Sequence, residues 1–310
     1  MMRMLITGGS GLLGGNLALM AAREHEVYAT YYRHRTVLKG CQMVRLNLTD
    51  EKQIHDLVAD IKPEVVVHTA AMTDADRCEG EKEQAWRVNV TGTAHLVGAC
   101  ARTGSRLIYV STDLIFDGRK GLYSEEDDPN PLSYYGRTKL EGEKVLAGHG
   151  VNCCILRSAL MYGWSPHPGK PSSSEWVLEG LRAGRALNLF DDQYRSPILV
   201  NNLGEAILDI CQQELQGLYH LAGPERISRY HFARILAEVF DLNTELLRPG
   251  SLDKARLAAA RPRDCSLRVE KARQVLNVEL LDPRRGIQRL KELEDGGYVE
   301  ELRQSERSKD

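Results

Sequence analysis

Apolar runs recur along the first half of the chain at residues 3–7, 26–32, 43–48, 64–71, 106–111 and 151–157. Each is short and bounded by turn residues, as expected of strands. Stretches of helical composition alternate with them, at residues 16–22, 51–61 (stopped before Pro63), 81–103 and onward from Tyr135. Five β–α alternations before residue 150 predict an α/β fold built on a doubly wound parallel (Rossmann) sheet. The order loosens after residue 157. Residues 164–174 form a loop rich in Pro, Gly and Ser, read as a mobile flap over a site. Helices follow at 175–183, 202–212, 228–240 and 284–293, and a strand at 217–223. The expected division is a dinucleotide-binding domain over 1–157, to which residues 188–212 return. A smaller, sequence-interleaved substrate domain takes 158–187 and 213–293. Residues 294–310 are charged and poor in apolar residues, so they are expected to fray.

The strand at 3–7 runs into Gly8-Gly9-Ser10-Gly11-Leu12-Leu13-Gly14 and then a helix. Strand, glycine turn and helix in this order suit a dinucleotide. The missing side chains let the backbone approach a pyrophosphate, whose charge sits on the helix N-terminus. About 20 residues past the glycines, an NAD site usually carries an acid for the ribose hydroxyls. Here the chain has Arg33-His34-Arg35, whose guanidinium groups suit a 2′-phosphate, so NADP is expected over NAD. Asn47 is placed to touch the adenine edge. His68, alone in an apolar strand, reads as a structural group.

Tyr135-Gly136-Arg137-Thr138-Lys139 is Y-x-x-x-K on a predicted helix, so Tyr135 and Lys139 share a face. A cation beside a phenol lowers its pKa and eases proton donation. Ser111, Thr112 and Asp113 end the fifth strand, where open α/β sheets bind ligands. Together these suggest protonation of a carbonyl oxygen while its carbon is attacked.

Composition changes little. With 42% hydrophobic and 27% charged residues the chain is ordinary for a globular protein, and its net charge of -2 argues against nucleic-acid binding. No apolar run is long enough to span a membrane, and the N-terminus lacks a signal-peptide pattern. The seven cysteines form no C-x-x-C pair and read as buried, reduced thiols, with no metal-ligand spacing. A cytoplasmic protein is the expectation.

The motifs named above, with His68-Thr69-Ala70-Ala71 and Asn89-Val90-Thr91-Gly92-Thr93, resemble the extended short-chain dehydrogenase/reductases from Thr7 to about residue 290. Ser111 to Gly118, Tyr135 to Glu143, Gln193 to Pro197 and Arg261-Pro262-Arg263 are most similar to the dTDP-4-dehydrorhamnose reductase branch. The resemblance implies NADPH-dependent reduction of the 4-keto group of a nucleotide-linked 4-keto-6-deoxy sugar, as in dTDP-rhamnose biosynthesis, with NADH as a possible substitute. It implies a catalytic set of Thr112, Tyr135 and Lys139. Cofactor contacts would come from these last two and from Gly8, Ser10, Gly11, Leu12, Leu13, Gly14, Arg33, Arg35, Asn47, Leu48, Thr69, Ala70 and Ala71. Substrate contacts would come from Asp113 on sugar hydroxyls, Gln193, and Arg195 and Arg261 near the diphosphate. For each arginine, a solvated surface charge stays open as the alternative. A homodimer is possible by the same analogy. Leu114 stands where this branch commonly has an aromatic residue. Two further readings remain: an NADP-binding regulatory subunit resembling that of methionine adenosyltransferase, and a nucleotide-sugar epimerase.

Overall fold

The strands predicted from the apolar runs form one sheet. A computed structural model describes residues 1–148 and 150–303. Its first half contains β1 (Arg3–Thr7), α1 (Leu12–Ala21), β2 (Glu26–Tyr31), β3 (Cys41–Arg45), α2 (Glu51–Ile61) and β4 (Val65–His68). Short helices α3 (Ala75–Gly80) and α4 (Lys82–Trp86) lead through a π-turn over Arg87–Thr91 into α5 (Gly92–Thr103). Then come β5 (Arg106–Thr112), α6 (Tyr134–Gly148) and β6 (Cys153–Ser158). The second half adds β7 (Met161–Tyr162), α7 (Ser173–Arg182), β8 (Leu187–Phe190), β9 (Tyr194–Arg195), β10 (Ile198–Leu199), α8 (Val200–Gln212) and β11 (Gly217–Leu221). It ends with β12 (Ile227–Ser228), α9 (Arg229–Val239), β13 (Leu247–Gly250), α10 (Glu270–Val275), α11 (Pro283–Asp295) and α12 (Tyr298–Arg303).

The central sheet has seven strands in the order β11-β6-β5-β4-β1-β2-β3, all parallel. Its central strands β1, β4 and β5 read as unbroken apolar runs because both faces are covered. Met4, Ile6, Val65, Val67, Ile108 and Val110 face one core, packed with α1 and α8 residues such as Leu17 and Leu203. Leu5, Val66, Leu107 and Tyr109 face the other, against Ile54 and Val58 of α2 and Leu96 and Val97 of α5. Strand order reverses between β1 and β4, which opens a crevice at their carboxyl ends. Three two-stranded ladders, β7–β10, β8–β13 and β9–β12, lie outside the sheet.

Three expectations are corrected. Residues 217–221, assigned to the substrate domain, form the edge strand β11, because they supply a ladder to β6. At the start of 188–212, assigned to the sheet domain, β8 pairs with β13 outside the sheet, although α8 does pack on α1. The tail expected to fray from 294 is helical through Arg303, with Tyr298 and Leu302 buried. The Tyr298 hydroxyl donates to Asn16 Oδ1 at 2.8 Å. Arg303 Nε donates to the Ser165 carbonyl at 3.1 Å and its guanidinium pairs with Glu175. The rest of that expectation, residues 304–310, lies outside the described residues.

All seven cysteines are free thiols. Five are buried, whereas Cys41 and Cys153 are only half-buried. No helix among the described residues is long and apolar enough to cross a membrane.

Candidate active site

The glycine turn is dictated by close backbone approach. Gly8 has φ +77°, and a Cβ there would stand 2.9 Å from Ala70 Cα. A Cβ on Gly14 would stand 2.2 Å from the Gly8 carbonyl oxygen, so α1 starts hard against the turn. The turn is tied to the end of β4. Thr69 Oγ1 donates to the Thr7 carbonyl at 2.6 Å, and the Ala70 amide donates to Thr7 Oγ1 at 3.2 Å. His68 lies 2.7 Å from Thr7 Oγ1 and 3.1 Å from Thr93 Oγ1 through its two ring nitrogens. Burial drives its pKa down to about 3, with Lys139 adding to the effect, so it bonds as a neutral ring. It braces β1, β4 and α5.

The π-turn serves a similar end. It brings Asn89 inward, where Oδ1 accepts from the Met72 amide at 2.8 Å. Asn89 Nδ2 donates to the Met72 carbonyl at 3.1 Å and to Thr138 Oγ1 at 2.9 Å. Thr138 in turn donates to the Tyr135 carbonyl at 2.8 Å, so one side chain fixes both the post-β4 segment and the first turn of α6.

These supports frame a cavity of about 970 Å³ that runs from the glycine turn, past the ends of β4 and β5, to Arg195 and Arg261. Gly8, Ser10, Gly11, Leu12, Leu13, Gly14, Arg33, Asn47, Leu48, Thr69, Ala70 and Ala71 line one stretch of it. Thr112, Asp113, Tyr135, Lys139, Gln193, Arg195 and Arg261 line the other. Arg35 is exposed and does not line the cavity, which leaves Arg33 as the arginine of that loop facing the site. The Asn47 side chain is partly engaged, since Oδ1 accepts from the Thr49 amide and hydroxyl.

The reacting end is buried. Thr112, Tyr135 and Lys139 are each less than a tenth exposed. Burial raises the Tyr135 pKa above that of a free phenol, and a hydrogen bond with Thr112 opposes the rise only in part. Lys139 is pushed down to about 7 by burial, with Glu143 pulling the other way. The expectation that Lys139 lowers the Tyr135 pKa is therefore corrected: desolvation dominates both groups and drives each toward its neutral form. A neutral phenol is the form that can donate a proton. The Lys139 ammonium sits 3.9 Å from the centre of the Tyr109 ring. Behind it, Glu143 pairs with Arg157 at 2.9 Å and accepts from the Ser111 hydroxyl.

The polar groups farther along are paired with one another. Asp113 Oδ2 lies 3.4 Å from Arg195 Nε, and Oδ1 accepts from Thr112 at 3.2 Å. Burial raises the Asp113 pKa against the pull of Arg195. Arg195 also donates to the Tyr194 and Pro262 carbonyls. Gln193 Nε2 reaches the Pro262 carbonyl at 3.5 Å. Arg261 bonds Asp76 at 2.8 Å, and Asp76 is held below the usual carboxylate range by the Ala259 amide and by Arg261.

The sequence reading missed several lining residues. Met72 and Arg229 carried no motif, and His34 was named only as part of the basic loop between Arg33 and Arg35. Ser165, His167 and Lys170 lie in the Pro/Gly/Ser-rich loop, whose composition marked the loop over the site without marking its residues.

A family model described as RmlD substrate binding domain matches residues 2–294. The chain belongs to this family. It is an RmlD-like branch of the extended short-chain dehydrogenase/reductases. Similar relatives of the RmlD-like chain differ in what they are called. Methionine adenosyltransferase 2 subunit beta of Bos taurus is 31% identical over 277 residues, covering 86% of this chain and 80% of that protein. The probable low-salt glycan biosynthesis reductase Agl14 of Haloferax volcanii is 31% identical over 271 residues, covering 85% and 89%. Among solved structures, a hypothetical dTDP-4-dehydrorhamnose reductase from Sulfolobus tokodaii is similar, with a TM-score of 0.80 and 36% identity over 92% of this chain and 99% of that one. The fold is shared with a dTDP-4-dehydrorhamnose reductase of Bacillus anthracis in complex with NADP, at a TM-score of 0.81 and 24% identity over 94% and 98%.

Proposed function

We propose that this RmlD-like chain is an NAD(P)-dependent oxidoreductase that uses NADPH, and less well NADH, to reduce the 4-keto group of a nucleotide-linked 4-keto-6-deoxy sugar. The observation that carries the reading is the convergence of Thr112, Tyr135 and Lys139 on the buried floor of a cavity that begins at a dinucleotide-type glycine turn. The glycine turn fits the cofactor, because Gly8 and Gly14 let β1, the turn and α1 close on one another, so that the N-terminus of α1 borders the cavity where a pyrophosphate would lie. When bound, the nicotinamide supplies a hydride to the carbonyl carbon. Tyr135 gives its phenolic proton to the carbonyl oxygen as charge develops there, and is re-protonated from solvent after turnover. Thr112 donates to the same oxygen. Lys139 bonds the nicotinamide ribose. Arg33 faces the 2′-phosphate.

A second reading is favoured by the 31% identity to methionine adenosyltransferase 2 subunit beta, together with Leu114 in place of an aromatic residue: an NADP-binding regulatory subunit. One experiment separates the two. NADPH oxidation is followed with a panel of 4-keto-6-deoxy nucleotide sugars, using wild type and Tyr135→Phe. Turnover that is lost in Tyr135→Phe while NADPH still binds supports the reductase. Tight NADP binding without oxidation of any panel member rejects it in favour of the regulatory subunit.

A further inference from the structure

Around Asp113 the charges do not balance. Arg195 is paired with that carboxylate at 3.4 Å. Arg229, the first residue of α9, lines the same cavity and lies close enough to both groups to feel their charges. Its backbone amide is anchored to the Gln193 carbonyl at 3.1 Å. Its guanidinium has no hydrogen-bond or ion-pair partner among the described residues, although burial and the neighbouring Arg195 depress its pKa to about 10. Two guanidinium groups thus face one carboxylate. A guanidinium carries five N–H donors and no acceptor, and those of half-buried Arg229 are left open to the cavity. Arg261, by contrast, is already neutralised by Asp76.

We infer that Arg229 is a substrate-binding residue that holds an oxyanion of the substrate in the part of the cavity lined by Arg195 and Asp113. This rests on the nucleotide-sugar reading above and extends it, because Arg195 is already taken by Asp113 and backbone carbonyls. The oxyanion is the diphosphate that links sugar to nucleoside, because a 6-deoxy sugar has a methyl at C6 and no carboxylate. Its paired oxygens suit the planar fork of an arginine.

The test is calorimetric titration of the NADP-loaded protein with dTDP, UDP, UDP-glucose and UDP-glucuronate. Wild type is compared with Arg229→Gln and Arg229→Lys. NADPH affinity, unchanged in both variants, checks that each is folded. At least a tenfold loss of dTDP or UDP affinity in Arg229→Gln, partly restored in Arg229→Lys, places the diphosphate on Arg229. Unchanged dTDP and UDP binding with loss of a preference for UDP-glucuronate over UDP-glucose overturns the diphosphate assignment, and with it the 6-deoxy sugar. Unchanged affinity for all four probes in Arg229→Gln overturns the proposal while leaving the nucleotide-sugar reading intact. Wild type that binds none of the four overturns both.

Discussion

Lys139 is expected to make the ligand-free protein less stable, so that Lys139→Met raises stability while abolishing turnover. Its side chain is 3% exposed, and its pKa falls from 10.5 to about 7 on folding. At about 1.4 kcal/mol per pH unit, that displacement is a cost of about 5 kcal/mol for keeping the ammonium charged in the folded state. The Tyr109 ring returns about 1–2 kcal/mol through its contact with the cation. Methionine keeps the apolar stem and drops the charge, so a net gain of about 3 kcal/mol is expected. The sign follows from linkage. The folded-state pKa is depressed for a cation, so the cost is fully present below pH 7. It shrinks as pH rises and is gone above about 10.5, where the unfolded lysine is also neutral. For 310 residues, an unfolding entropy of about 2.1 cal/mol/K per residue turns 3 kcal/mol into about 5 °C. The assay is thermal unfolding of both proteins without cofactor at half-unit steps from pH 6 to pH 10. Equal or lower Tm for Lys139→Met at pH 6–7 would refute the argument, as would a gap that fails to narrow toward pH 10.

Three further outcomes can be measured. Gly14→Ala places a Cβ 2.2 Å from the Gly8 carbonyl oxygen, so NADPH affinity in a fluorescence titration should fall at least tenfold, and an unchanged affinity would contradict it. Glu143→Gln leaves the buried Arg157 guanidinium beside Phe116 without its countercharge; urea unfolding should show a loss of about 3–5 kcal/mol, and an unchanged midpoint would contradict it. Tyr298→Phe removes the donor to Asn16 Oδ1 and should cost about 1–2 kcal/mol, a loss not expected if the segment from 294 frayed.

The sheet was legible because its central strands β1, β4 and β5 are covered on both faces, which leaves continuous apolar runs in the sequence. The glycine turn and Tyr135–Lys139 were legible because their chemistry is local. What escaped the reading is non-local. Asp113 meets Arg195, and Arg261 meets Asp76 across 185 positions, pairings that no spacing encodes. The π-turn escaped because Arg87–Thr91 has the composition of an ordinary helix. The tail misled because its charge hides Tyr298 and Leu302, four apart and both turned inward. The pKa values escaped because burial decides them: a cation four residues from a phenol predicts assistance, yet desolvation moves both groups further than either moves the other.

The contact between Tyr298 and Asn16 also bears on how the protein is made. Asn16 Nδ2 holds the Trp164 carbonyl, and Arg303 holds Ser165, so α12 buttresses the loop beside the glycine turn. Asn16 and Tyr298 are 282 positions apart. At about 5–20 residues per second, a ribosome takes about 15–60 s to cover that distance. Throughout that interval the glycine turn exists without its buttress, and β11 joins the sheet late. Cofactor binding can stabilise only what it finds folded. The nascent chain therefore passes most of its synthesis without that help, and chaperone capture has its widest opening before residue 298 emerges.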